Sequence, residues 1–144
     1  MMRPVLCRWL QYWLPPLAWM GVIYFLSAQP DLPQAPGPWL DLVLKKAGHA
    51  AAYGVLAWLY LRVLRHHSGK RGTPTALRVA SIGLTMTYAL SDEYHQTFVP
   101  GRNGNLLDVA VDGAGVCVAM LLDWRLACRP ASSEPESRQA PGVR

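Results

Sequence analysis

The stretch SDEYHQTFVPGRNGNLLDVAVDGAG, residues 91–115, holds four of the chain's nine acidic residues: Asp92, Glu93, Asp108 and Asp112. His95 and Arg102 stand among them. Upstream, KAGHAAAY places Lys46, His49 and Tyr53 at i, i+3 and i+7, which is one face of a helix. Asp92 and Gln96 share a face at i, i+4, as do Asp108 and Asp112. Lys46 and Arg102 suit a phosphate or carboxylate, and the four acids suit amines and hydroxyls. A histidine beside carboxylates can also accept or donate a proton near neutral pH, so His49, Asp92 and Glu93 are the candidate catalytic groups. His with several carboxylates is a possible donor set for a divalent metal. No HExxH motif or Ser-His-Asp order directs the chemistry, and neither a metal nor another cofactor is expected.

These groups are set in an apolar chain. Of its 144 residues 51% are hydrophobic and only 16% charged, against roughly 25% charged in soluble domains. Six Trp and six Tyr against two Phe fit aromatics placed at a membrane–water boundary. Four apolar segments stand out, near residues 13–28, 47–64, 77–91 and 106–124, each close to the ~20 residues that span a bilayer as a helix. No segment alternates polar and apolar residues as a barrel strand does. The expected fold is all-α, a four-helix transmembrane bundle spanning residues 1–128, followed by a disordered tail, 129–144, with no large apolar residue apart from Val143.

Eleven of the fourteen Lys and Arg residues fall at the N-terminus, in the middle loop or after the fourth segment, so both termini are expected in the cytoplasm. The rival reading, a signal peptide cleaved after Ala28, is disfavoured by Pro15-Pro16 within the apolar run. It would also put the basic middle loop and the C-terminal arginines on opposite sides. Cys7 and Cys128 are then cytoplasmic and Cys117 lies within a helix, which argues against a disulfide framework. Gly113, Gly115 and Ala119 read as close helix packing. Prolines 30, 33, 36 and 38 delay the second helix until after an extended outer loop.

With Arg62, Arg78 and Trp124 marking the inner boundary, His49, Asp92 and Asp112 lie thirteen, fourteen and twelve residues above it. At 1.5 Å per residue that is roughly 18–21 Å, within a hydrocarbon core about 30 Å thick. Ionisable groups at that depth face one another or a wet cavity. Lys46, His49 and Arg102 are the expected partners of the acids. The expected site is an outward-facing polar pocket roofed by the loop from Phe98 to Asn105, where Pro100-Gly101 forces a turn.

Lys46-x-x-His49-x-x-x-Tyr53, then Ser91-Asp92-Glu93-x-x-Gln96-x-Phe98-x-Pro100-x-Arg102, then Asp108-x-x-x-Asp112-x-x-Gly115, resembles the VanZ-like family of small bacterial membrane proteins. Leu26–Pro30, LSAQP, is similar to the close of that family's first helix. The resemblance covers about residues 12–124. It implies a multi-pass inner-membrane protein with its polar site outward, and the family's namesake is associated with resistance to teicoplanin, a lipidated glycopeptide. It implies no particular reaction. The twelve motif residues from Lys46 to Asp112 form the candidate ligand site. Its expected partner is a membrane lipid, a lipid-linked cell-wall precursor or a lipoglycopeptide, and nucleic acid is not expected. An intramembrane enzyme acting on a lipid head group, a small proton-coupled transporter and a purely structural bundle are the competing readings.

Overall fold

The computed structural model describes residues 3–30, 35–69, 71–102 and 104–128. Four helices account for nearly all of them: α1 (Arg3–Ser27), α2 (Pro38–Ser68), α3 (Pro74–Gln96) and α4 (Leu106–Ala127). There is no strand among the described residues. The expected tail, 129–144, and Cys7's side chain lie outside them, while Cys117 and Cys128 are free thiols.

Local chemistry sets the helix starts. Pro38 opens α2, where its missing N–H is no loss, directly after Gly37 at φ 95°. Pro74 opens α3 behind Thr73, whose hydroxyl accepts the Ala76 N–H at 3.2 Å. Asn105 caps α4 by accepting the Leu107 N–H at 3.0 Å. The helices run past the apolar segments at several ends. α2 begins nine residues before Ala47, and α3 continues through Asp92 and Glu93 to Gln96. α1 runs through Pro15 and Pro16, and Pro16 is fully buried.

α2 packs against each of the other three helices. Tyr53, Leu56, Ala57, Tyr60 and Leu61 recur at i, i+3, i+4, i+7 and i+8, and all are buried. Ala89 of α3, Val109, Val116 and Met120 of α4 and Ile23 of α1 complete that core. The closest approach is α2 to α4. A Cβ at Gly115 would overlap the backbone of Ala50, and one at Gly54 would stand 3.0 Å from the Gly115 carbonyl oxygen. Gly113, also expected as a packing position, meets only the Met86 side chain, so Gly115 is the contact that matters. Between α2 and α3, the Ser81 hydroxyl donates to the Ala57 carbonyl. α1 is tied on by Trp19 Nε1 to the Ala52 carbonyl at 2.9 Å and by the Tyr88 hydroxyl to the Met20 carbonyl at 2.7 Å.

Polarity runs opposite to that of a bundle built for water. Asp92, Glu93, Gln96 and Asp112 are buried, while Phe25, Trp39 and Leu107 are 64%, 79% and 69% exposed. No helix among the described residues is long and apolar enough to cross a membrane. This differs from the expected transmembrane bundle. The helices, at 22 to 31 residues, reach about 33–46 Å, so the limit is apolarity: Lys45, Lys46, Asp92, Glu93, Asp108, Asp112 and Asp123 interrupt α2, α3 and α4, and Arg8, Gln11, Pro15 and Pro16 dilute α1.

Candidate functional site

The Gly115–Ala50 contact fixes the relative height of α2 and α4, with His49 directly beside Ala50 and Asp112 about one turn above Gly115. His49 Nδ1 lies 3.6 Å from Asp112 Oδ1, too long for a hydrogen bond but close enough for an ion pair if the ring is protonated. One turn higher again, Lys46 pairs with Asp108. Further out, Lys45 pairs with Asp41 at 2.7 Å. This ammonium, together with the Ala35 N–H, holds the Asp41 carboxyl below the usual aspartate range.

α3 contributes two carboxylates with different surroundings. Asp92 Oδ2 accepts from the Ser27 hydroxyl at 2.7 Å, the Tyr53 hydroxyl at 2.9 Å and the Gln96 amide at 3.3 Å. Three helices thus converge on one oxygen. Glu93 turns toward α4 instead: its Oε2 accepts the Asn105 N–H at 2.8 Å. The loop between α3 and α4 passes close over this acid, since a Cβ at Gly104 would overlap the Glu93 carbonyl oxygen.

A polar cavity of about 190 Å³ lies over these groups. Lys46, His49, Glu93, Gln96, Asp108 and Asp112 line it, with Lys45, Gly101 and Arg102 at its rim. Of the expected site residues, Tyr53 and Asp92 sit beside the cavity in the Ser27–Asp92–Tyr53 network rather than on its wall. Ser91, Phe98 and Pro100 do not line it and are exposed. Lys46 meets an acid as expected. Arg102 does not: its guanidinium donates to the carbonyls of Gln29 at 3.2 Å and Leu26 at 3.3 Å, closing the end of α1. Backbone carbonyls do not neutralise it, so Arg102 keeps its positive charge at the cavity mouth. No serine, threonine or cysteine lines the polar cavity among the described residues.

A second space adjoins the first. Between α1 and α2 an apolar groove of about 450 Å³ is lined by residues including Trp19, Val22, Leu26, Gly48, Ala52 and Val55. Its lining includes Lys45, His49 and Arg102, which also line the polar cavity. The groove was not legible in the sequence, because its two walls lie about 25 residues apart and meet only through helix packing. Ser27 was also missed as a site residue, although it falls within LSAQP. At the opposite end of the bundle, Asp123 accepts both Arg65 nitrogens at 2.7 Å and Arg78 Nε at 2.9 Å, tying α2, α3 and α4 together. In the sequence these arginines read only as topology signals.

The family model described as VanZ/LLP1 matches residues 9–127, and the chain belongs to that family. No match is found among curated proteins or among solved structures.

Proposed function

We propose that this VanZ/LLP1 family member is a multi-pass protein of the bacterial inner membrane that binds an amphiphilic envelope ligand, with the head group in the polar cavity and the chain in the α1–α2 groove. The observation that carries the reading is the junction of the two spaces. A 190 Å³ polar cavity and a 450 Å³ apolar groove share Lys45, His49 and Arg102, so one molecule with a charged end and an apolar body fits both. Arg102 meets an acidic head group at the junction, and a phospholipid, a lipid-linked cell-wall precursor and a lipoglycopeptide all have the required chemistry.

Membrane placement is supported by the reversed polarity of the bundle. A buried carboxylate set beneath an apolar exterior is costly in water and economical in lipid, where ionisable groups turn inward. α2, α3 and α4 are interrupted by charge, yet Asp92, Glu93 and Asp112 are buried in the bundle interior, and the outer face of each helix carries Leu, Val, Trp or Phe. The Lys and Arg bias toward the termini and the middle loop supports a cavity on the outer side.

The test is native mass spectrometry of the protein extracted from bacterial membranes in mild detergent. Gly48→Phe is the informative variant, because Gly48 lines the groove and a Cβ there meets nothing within 4 Å, so a larger side chain is directed at the groove's space. Arg102→Ala removes the charge at the junction. A bound phospholipid or polyprenyl phosphate is expected on the wild type. Each variant is expected to weaken its binding by about tenfold or more, or ~1.4 kcal/mol. Undiminished binding in both variants overturns the reading.

A further inference from the structure

We propose that the floor of the polar cavity is a divalent-cation site of the Mn²⁺ or Zn²⁺ class, formed by His49, Glu93 and Asp112. One potential ligand atom from each of the three residues lies within 4.8 Å of the other two. Around an ion with bonds of about 2.0–2.2 Å, neighbouring ligand atoms stand roughly 3.3–3.6 Å apart, so the widest of these spacings closes by up to about an ångström or slightly more when the ion binds, within reach of side-chain rotation. The 3.6 Å between His49 Nδ1 and Asp112 Oδ1 is close to the roughly 3.4 Å edge of a tetrahedron around such an ion.

Asp112 supplies the independent observation. Its side chain is 0% exposed, and neither carboxylate oxygen has a hydrogen-bond partner. His49 Nδ1 beside it is likewise buried and unbonded. A buried carboxylate without donors is costly, and buried charges are normally paired or bound to metal. The cavity's other cations are engaged: Lys46 with Asp108, Lys45 with Asp41, and Arg102 with two backbone carbonyls. Glu93 is held in place from behind, since the Asn105 N–H takes Oε2 and leaves Oε1 with only a 3.5 Å contact to Gln96. That is how a hydrogen-bonded outer shell orients a ligating carboxylate.

One imidazole and two carboxylates select a cation of intermediate hardness over Cu(I), and no thiolate is among the donors. Three protein ligands leave a coordination position open to the cavity, where water or a head-group oxygen completes the shell. The sequence reading expected no metal, since neither HExxH nor a similar signature marks the chain. The cation site does not rest on the amphiphile reading, since its test uses metal without added lipid.

Chelator-stripped protein in detergent is titrated with Mn²⁺ or Zn²⁺ by calorimetry, with thermal unfolding followed at each metal concentration. One equivalent is expected to bind with a midpoint in the micromolar range or below, and to raise the unfolding temperature. Asp112→Asn and His49→Ala are each expected to weaken binding at least about tenfold. Asp112→Asn, nearly isosteric, is also expected to raise the unfolding temperature of the metal-free protein while removing its response to metal. Asp123→Asn, at the far end of the bundle, leaves binding unchanged. Absence of saturable binding at millimolar metal, or equal binding by wild type, Asp112→Asn and His49→Ala, overturns the site.

Discussion

Tyr53→Phe tests whether Asp92 is the polar anchor of the bundle. Tyr53 is fully buried, and its hydroxyl donates to Asp92 Oδ2 at 2.9 Å beside the Ser27 hydroxyl at 2.7 Å. A hydrogen bond to a charged acceptor contributes about 1.5–3 kcal/mol, and removing it leaves a buried acceptor short of a donor. A neutral interhelical bond in a bilayer contributes only about 0.6 kcal/mol on average. The expected loss for Tyr53→Phe is therefore about 2 kcal/mol. Tyr60→Phe is the internal control, because that hydroxyl meets only the Met20 sulfur at 3.0 Å, and its expected cost is below about 1 kcal/mol. Ser27→Ala is expected to cost about as much as Tyr53→Phe. The double variant should depart from additivity by 0.5 kcal/mol or more (about the threshold for contacting groups), since both donors serve one oxygen. Reversible unfolding in mixed detergent micelles, followed by the fluorescence of the six tryptophans, measures all four. Equal losses for Tyr53→Phe and Tyr60→Phe near 0.6 kcal/mol, with strict additivity for the pair, would refute a carboxylate anchor at Asp92.

Gly115→Ala is expected to destabilise by about 1–3 kcal/mol or more, because its methyl group must displace the Ala50 backbone, and to weaken occupancy of the site one turn above. Gly113→Ala, facing only the movable end of Met86, is expected to be neutral or to stabilise by up to about 1 kcal/mol through helix propensity; the same unfolding titration compares the two. Asp123→Asn leaves Arg65 and Arg78 without their shared carboxylate. Arg65 is 41% exposed, so the expected loss is only about 1–2 kcal/mol, and unfolding in low and high salt measures it as a gap that narrows with added salt.

The sequence alone determined the helical class and the number of helices, because four apolar runs separated by Pro, Gly and basic residues admit little else. It also determined the heights of the ionisable groups, since rise per residue is a fixed property of the helix. Lys46 over His49 on α2 and Asp108 over Asp112 on α4 are matched in height for that reason alone. Helix periodicity does not determine which side chain finds which partner across a helix interface. That depended on how closely the backbones approach. Gly115 against Ala50 brings Lys46 to Asp108 and His49 toward Asp112, while α3 turns Asp92 to Ser27 and Tyr53 and Glu93 to the loop before α4. Arg102 shows the difference most plainly. Its charge predicted a carboxylate partner, yet the turn at Gly101, with φ 79°, delivers it to the open carbonyls at the end of α1. The groove beside α1, and the buried Asp112 carboxylate with no donor, likewise exist only once four helices are packed, because burial belongs to an assembly of segments and not to any one of them.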